Sequence, residues 1–135
     1  MTATAPVEVI PEITFMSGLP AFPDAHRFAI VRWGDEDSPF SVLRCIDQPE
    51  LAFVVTHPIL FFPDYSPEID DDTAARISLD EPEDAIVLVI LTLGGSPSDA
   101  TANLLGPIVI NQHTREAIQA VLYDTRYDVS TPLHP

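Results

Sequence analysis

LAFVVTHPILFFPDYSPEIDDD, residues 51–72, decides how the rest of the chain is read. Leu51–Val55 is an unbroken apolar run, the pattern of a strand buried on both faces. Pro58, Pro63 and Pro67 then interrupt it. Proline fixes its own φ and has no N–H to donate, so the segment cannot continue as a central strand. It leaves the sheet carrying Ile59, Leu60, Phe61, Phe62 and Tyr65. Glu68, Asp70, Asp71 and Asp72 follow at once. Two outcomes are open for the large side chains: they fold back as a lid on the core, or they form a sticky surface beside an acidic one.

Upstream, Arg27–Trp33 alternates, with Phe28 and Ile30 on one face and Ala29, Val31 and Trp33 on the other, the pattern of a strand. Phe40–Asp47 is the next strand, after a polar turn at 34–39. Three strands joined by short links argue an antiparallel meander. Val7–Phe15 supplies one or two short strands broken at Pro11, and 18–23 is a turn carrying Leu19 and Phe22. Met1–Pro6 reads as a frayed tail.

Downstream, Thr73–Leu79 is a short helix, capped by Asp71 or Asp72, whose charge also suits the positive end of the helix dipole. Asp80–Asp84 adds one further helical turn. Ala85–Leu93 is strongly β-prone and reads as the central strand. Thr101–Asn111 is a strand split at Gly106-Pro107, where a bulge or an edge belongs. Asn111–Thr114 is a turn, Glu116–Tyr123 a strand, and 124–135 a loop and tail, frayed over 130–135. The sequence therefore predicts one domain over 1–135: a mostly β, antiparallel β-barrel-like fold of about seven or eight short strands with one short helical insertion.

Bulk properties narrow the function. A chain of 135 residues is long enough to bury roughly two-thirds of its unfolded surface without disulfides or metals. Twenty-one Asp and Glu oppose six Arg, a formal charge of −15. Such a chain repels phosphate backbones and anionic lipid, and attracts basic proteins. Cys45, the one cysteine, lies in an apolar run and reads as a small buried hydrophobe. The first residues lack a signal-peptide pattern, and the longest apolar run, Ala85–Leu91, is too short to span a membrane, so a cytoplasmic protein is expected.

No catalytic or metal constellation stands out. His26, His57, His113 and His134 are scattered, without metal-site spacing. Asp70–Asp72 lacks the glycine and distal glutamate of a calcium loop. There is no Gly-rich phosphate loop and no nucleophile elbow. The regional feature is Asp64–Asp84, nine acids against Arg76 alone, next to the aromatic–proline segment. Charge beside apolar anchors is how protein-binding patches are built. On that ground Pro58, Phe61, Phe62, Asp64, Tyr65, Glu68, Asp70 and Asp71 are the candidate contact residues. Asn103, Pro107 and Asn111 form a second rank, with turn and bulge chemistry as the alternative.

An ordered set of segments carries a resemblance. Gly18–Phe22, Asp35–Leu43, Pro49–Val55, Phe61–Tyr65 and Thr101–Asn111, spread over about Ile13–Leu133, together resemble the flagellar assembly factor FliW family. The resemblance implies a small cytoplasmic β-barrel-like protein without cofactor or catalysis. It implies two partners: CsrA, an RNA-binding translational regulator, which is sequestered, and newly made flagellin, whose binding releases CsrA. The other class of function open to such a chain is a barrel that binds a small ligand or uses its carboxylates in catalysis. A closed polar cavity would mark that class, and a barrel filled with side chains would count against it.

Overall fold

Nine strands occur among the residues that the computed structural model describes, which are 9–19, 22–34, 37–94, 99–123 and 126–133. They are β1 (Val9–Phe15), β2 (Arg27–Arg32), β3 (Phe40–Cys45), β4 (Ala52–Thr56), β5 (Ala85–Thr92), β6 (Thr101–Ala102), β7 (Ile108–Asn111), β8 (Glu116–Gln119) and β9 (Thr131–Pro132). The helix α1 is Asp71–Arg76, and single 3-10 turns occupy Pro58–Leu60 and Pro82–Asp84. The predicted tail at 1–6 lies outside the described residues.

The expected meander forms. β2 pairs antiparallel with β3, and β3 with β4, through Phe28↔Cys45 to Arg32↔Ser41 and Phe40↔Thr56 to Arg44↔Ala52. β1 joins β2, with a register slip between Ile10 and Ile13 that falls on Pro11, which has no donor for the ladder. β4 reaches β5 at Val54↔Leu91 to Thr56↔Val89, β5 pairs with β7, and β7 with β8. β8 then returns to β1 through Thr14↔Glu116 and Phe15↔Ala117, and this pair is parallel.

The seven-strand ring β1-β2-β3-β4-β5-β7-β8 is therefore mixed, where the sequence predicts an antiparallel barrel. Parity is the reason. Directions can alternate all the way round a closed ring only if its strand number is even. A ring of seven must hold at least one parallel neighbour pair, and the seam between the first and last ring strands is where no hairpin dictates direction.

Leu91 has Val54 of β4 on one flank and Ala102 of β6 on the other. β6 and β7 thus lie along one flank of β5, as two pieces of a strand split at Gly106-Pro107. Asn103 makes the split: its Oδ1 accepts from the amides of Leu105 (3.1 Å) and Gly106 (2.9 Å). β9 pairs with β6 and Leu133 is buried, so 131–133 are tied down rather than frayed. The apolar Leu133 side chain packs against Ala100 and Leu104, and that burial outweighs chain-end entropy.

Inside the ring, Ile13, Phe15, Phe28, Ile30, Leu43, Val55, Leu88, Ile108 and Ile110 fill the interior. Phe15 and Phe28 meet edge to face at 5.0 Å. Cys45 is buried with them, as an inert hydrophobe should be. At the ring's edge, Gly18 has φ +67°, and a side chain there would strike the Pro23 carbonyl. Leu19 beyond it is buried, while Phe22 lies over Phe53. No helix among the described residues is long and apolar enough to cross a membrane.

Outside the ring, residues 57–84 lie over strand faces. Phe61, Phe62 and Tyr65 pack on Val89, Leu91, Ala102 and Leu104. Ile69, Ile77 and Leu79 pack on Ala85, Val109, Ile118 and Ala120. β4 is correspondingly less buried than a two-faced strand: Val55 and Thr56 are buried, Phe53 and Val54 half-buried, and Ala52 exposed.

α1 starts two residues before the predicted Thr73. Its N-cap is Asp70 rather than Asp71 or Asp72, because the Asp70 carboxylate reaches the Thr73 amide, the third in the helix, at 2.7 Å. Its end is held from the barrel. Asn111 Nδ2 donates to the carbonyls of Ile77 and Ser78, both at 3.0 Å. Asn111 Oδ1 accepts from the His113 amide at 2.9 Å, shaping the turn after β7.

Two outcomes follow from these contacts. Asn111→Ala strands buried carbonyls and the turn amide, so it should lower stability by about 2–4 kcal/mol, read as a lower urea midpoint at unchanged slope. A change under about 0.5 kcal/mol would mean that water replaces the side chain. Asp70 is held below the ordinary carboxylate range by hydrogen bonds from Thr73, with a smaller contribution from Arg76. A depressed acid stabilises the folded helix above its unfolded pKa, and that contribution disappears as pH falls through its folded value. The protection factor of the Thr73 amide, which corrects for the intrinsic pH dependence of exchange, should therefore fall in that acid window. Asp70→Asn, which caps without titrating, should flatten the dependence, and an unflattened profile would assign it to another group.

Candidate protein-binding surface

The surface is built where β4 ends. Thr56 is buried and donates through Oγ1 to the Pro39 carbonyl at 2.7 Å. His57 has extended backbone, as the residue before a proline must. It is half-buried, and desolvation pushes its pKa down. Pro58 is buried and opens the 3-10 turn. The Phe61 and Phe62 amides both donate to the Pro58 carbonyl, at 3.0 and 2.7 Å. This tight reversal leaves Ile59 and Leu60 at the outer corner, 64% and 58% exposed.

The residues after the corner turn inward. Phe61 stacks on Phe40 at 5.9 Å with 12° between the planes, and Phe40 in turn meets Trp33 at 6.3 Å. Trp33 is 45% exposed, so the series of rings ends at the surface. Phe62 packs on the cluster that holds Val89, Leu91, Ala102 and Leu104. The Tyr65 hydroxyl donates to the Leu104 carbonyl at 2.7 Å, and its ring meets Tyr127 edge to face at 4.8 Å. Burial, with Tyr127 adding, keeps the Tyr65 phenol protonated far above its usual range. The Tyr127 hydroxyl accepts from the Ser66 amide at 3.0 Å.

The segment is thus both lid and surface, divided residue by residue. Pro58, Phe61, Phe62 and Tyr65, all candidate contact residues, mostly form the lid. The exposed apolar corner is Ile59 and Leu60, which the candidate set omits. The missed signal is local: the 3-10 turn that Pro58 opens presents the next two side chains, Ile59 and Leu60, outward.

The acids divide as well. Asp70 caps α1, and Asp72 pairs with Arg76 at 3.0 Å, four residues on. Asp64, Glu68 and Asp71 are exposed and form no ion pair among the described residues. Asp80 and Glu81, also exposed, belong with them. Glu68, Asp71, Asp80 and Glu81 rim a groove of about 590 Å³ whose apolar lining includes Leu79 and Val87. Asp84, by contrast, meets His113 Nε2 at 3.0 Å.

The second-rank residues stand apart from this surface. Asn103 forms the turn between β6 and β7, Asn111 anchors α1, and Pro107 is buried with its carbonyl accepting from Ala120 at 2.9 Å. Their polar groups serve the scaffold. Asp35 and Glu36, the other acidic turn, and His134 lie outside the described residues. No group of three or more His, Cys, Asp or Glu among the described residues is arranged to hold a metal ion.

Comparison with known proteins bears on the family and the fold. The family model described as FliW protein matches residues 2–133. Flagellar assembly factor FliW of Bacillus licheniformis is 39% identical over 90% of this chain and 84% of its own length. The protein of that name from Bacillus subtilis is 38% identical over the same shares, and that from Treponema denticola 36% over 90% and 84%. A crystal structure of the flagellar assembly factor FliW superposes with a TM-score of 0.86 at 34% identity, covering 93% of this chain and 86% of that one. The chain belongs to the FliW family of flagellar assembly factors.

Proposed function

We propose that this protein is a cytoplasmic, non-enzymatic switch between two protein partners. It sequesters a CsrA-type RNA-binding translational regulator and also binds flagellin, so that flagellin synthesis follows flagellar assembly. The observation that carries this reading is the exposed Ile59–Leu60 corner beside unpaired carboxylates on a chain of charge −15. An apolar corner suits the apolar face of a helical segment such as a flagellin terminus presents. Uncompensated negative charge suits a basic RNA-binding protein and speeds its encounter. The same charge disfavours contact with the RNA itself. The alternative class, a ligand-binding or catalytic barrel, loses support because apolar side chains occupy the barrel interior.

The switch requires that one partner weaken the other, whether by overlap or by coupling, and such coupling is reciprocal. Titration calorimetry with a purified CsrA-type regulator and flagellin should show each binding alone and neither binding at full strength once the other is present. Independent, simultaneous binding of both would overturn the switch. Ile59→Ser with Leu60→Ser should weaken flagellin binding by at least about tenfold while leaving the melting temperature nearly unchanged, since both side chains are already in water. Unchanged affinity would remove the corner from the contact.

A further inference from the structure

We propose that the groove over Val87 receives an extended peptide segment of a basic protein, one in which arginine or lysine alternates with apolar residues. The groove follows from how β5 is covered. Ile86 and Leu88 point into the barrel, so Ala85, Val87 and Val89 share the outer face. Val89 is buried beneath the cluster that holds Phe62 and Tyr65. Ala85 packs with the cluster that holds Ile69, Ile77 and Leu79. Val87 falls between the two clusters and belongs to neither; it is half-buried at the floor of the groove.

The flank of β5 beside the groove carries no paired strand among the described residues. β4 pairs with β5 only from Val89 to Leu91 and ends at Thr56, opposite Val89. Beside Ala85–Leu88, on the side away from β7, no strand is paired among the described residues. A segment laid there has an apolar floor and room of about 590 Å³.

Charge then selects the occupant. Glu68, Asp71, Asp80 and Glu81 stand on the rim, and no Arg or His among the described residues lines the groove. Their carboxylates have no ion-pair partner among the described residues. An acid rim over an apolar floor matches a long cationic side chain, whose stem covers apolar surface while its head stays in water. Extended chain sends successive side chains to opposite sides, so alternation places apolar residues on Val87 and Leu79 and cations at the rim. A smaller depression shares Glu68 and continues the same character through Asp70 to Val121 and Tyr123, which are 60% and 91% exposed. The segment therefore has a track longer than one side chain.

This assignment rests on the partner-binding reading above and gives the groove to the basic partner, leaving the Ile59–Leu60 corner to the other. The test uses the full chain and fluorescent octapeptides alternating Leu with Arg, Ser with Arg, and Leu with Glu. The Leu–Arg peptide should bind and shift the amide resonances of Leu79, Ala85 and Val87. Asp71→Asn with Glu81→Gln, two exposed positions, should weaken it about tenfold at low salt. Equal binding of the Ser–Arg peptide, resonance shifts elsewhere, or unchanged affinity of the double variant would each overturn the proposal. A CsrA-type regulator that binds the double variant as tightly as wild type removes the groove and leaves the switch standing. Peptide binding at the groove, with no binding of the regulator to wild type, does the reverse.

Discussion

β5 carries apolar side chains on both faces, and most of the structure answers to that fact. Its inward residues, Ile86 and Leu88, are satisfied by the barrel interior. Its outward ones, Val89 and Leu91, would present an exposed apolar stripe unless something crossed them. The connection between β4 and β5 is what crosses. Three prolines remove it from the sheet, and its aromatic side chains give it a reason to stay on the outer face. The insertion is thus a second layer of the fold, anchored by Tyr65 on Leu104 at one end and by Asn111 under α1 at the other.

That architecture sorts polar from apolar groups on the insertion. The side chains of the insertion that pack on β5, β7 and β8 are apolar, and those that face away are available for charge. The acids accumulate on the outward side, where water solvates them at little cost. A few are absorbed locally, as Asp70 is by the Thr73 amide and Asp72 by Arg76. The remainder set up a one-signed field on the insertion that also exposes Ile59 and Leu60. Attraction at a distance and adhesion on contact thus come from one loop, without a dedicated domain.

The legible parts of the fold are those whose cause is local. β2 announces itself by period-two alternation, β4 by an unbroken apolar run, and all three meander strands by short links, and the split between β6 and β7 by Gly106-Pro107. The helix is legible from its acids, although the cap falls on Asp70 because the cap must reach the third amide of the helix. The parallel β1–β8 seam has no local signature, since no hairpin or crossover joins those strands. The burial of Leu133 has no local signature for the same reason: it depends on a cluster distant in sequence, which includes Ala100 and Leu104. At the surface, the segment is readable as a unit, but its division between lid and corner turns on one pair of hydrogen bonds to the Pro58 carbonyl. The scaffold role of Asn111 depends on a helix 34 residues away in sequence.

The parallel seam has a consequence for the chain as it emerges from the ribosome. β1 is made first and β8 nearly last, so the ring stays open until residues 116–117 are out. Until then the nascent protein is a curled sheet with an unzipped margin, the hazard that edge strands carry toward neighbouring chains. Closure at Thr14 and Phe15 is therefore a late event, and it removes the last free edge of β1.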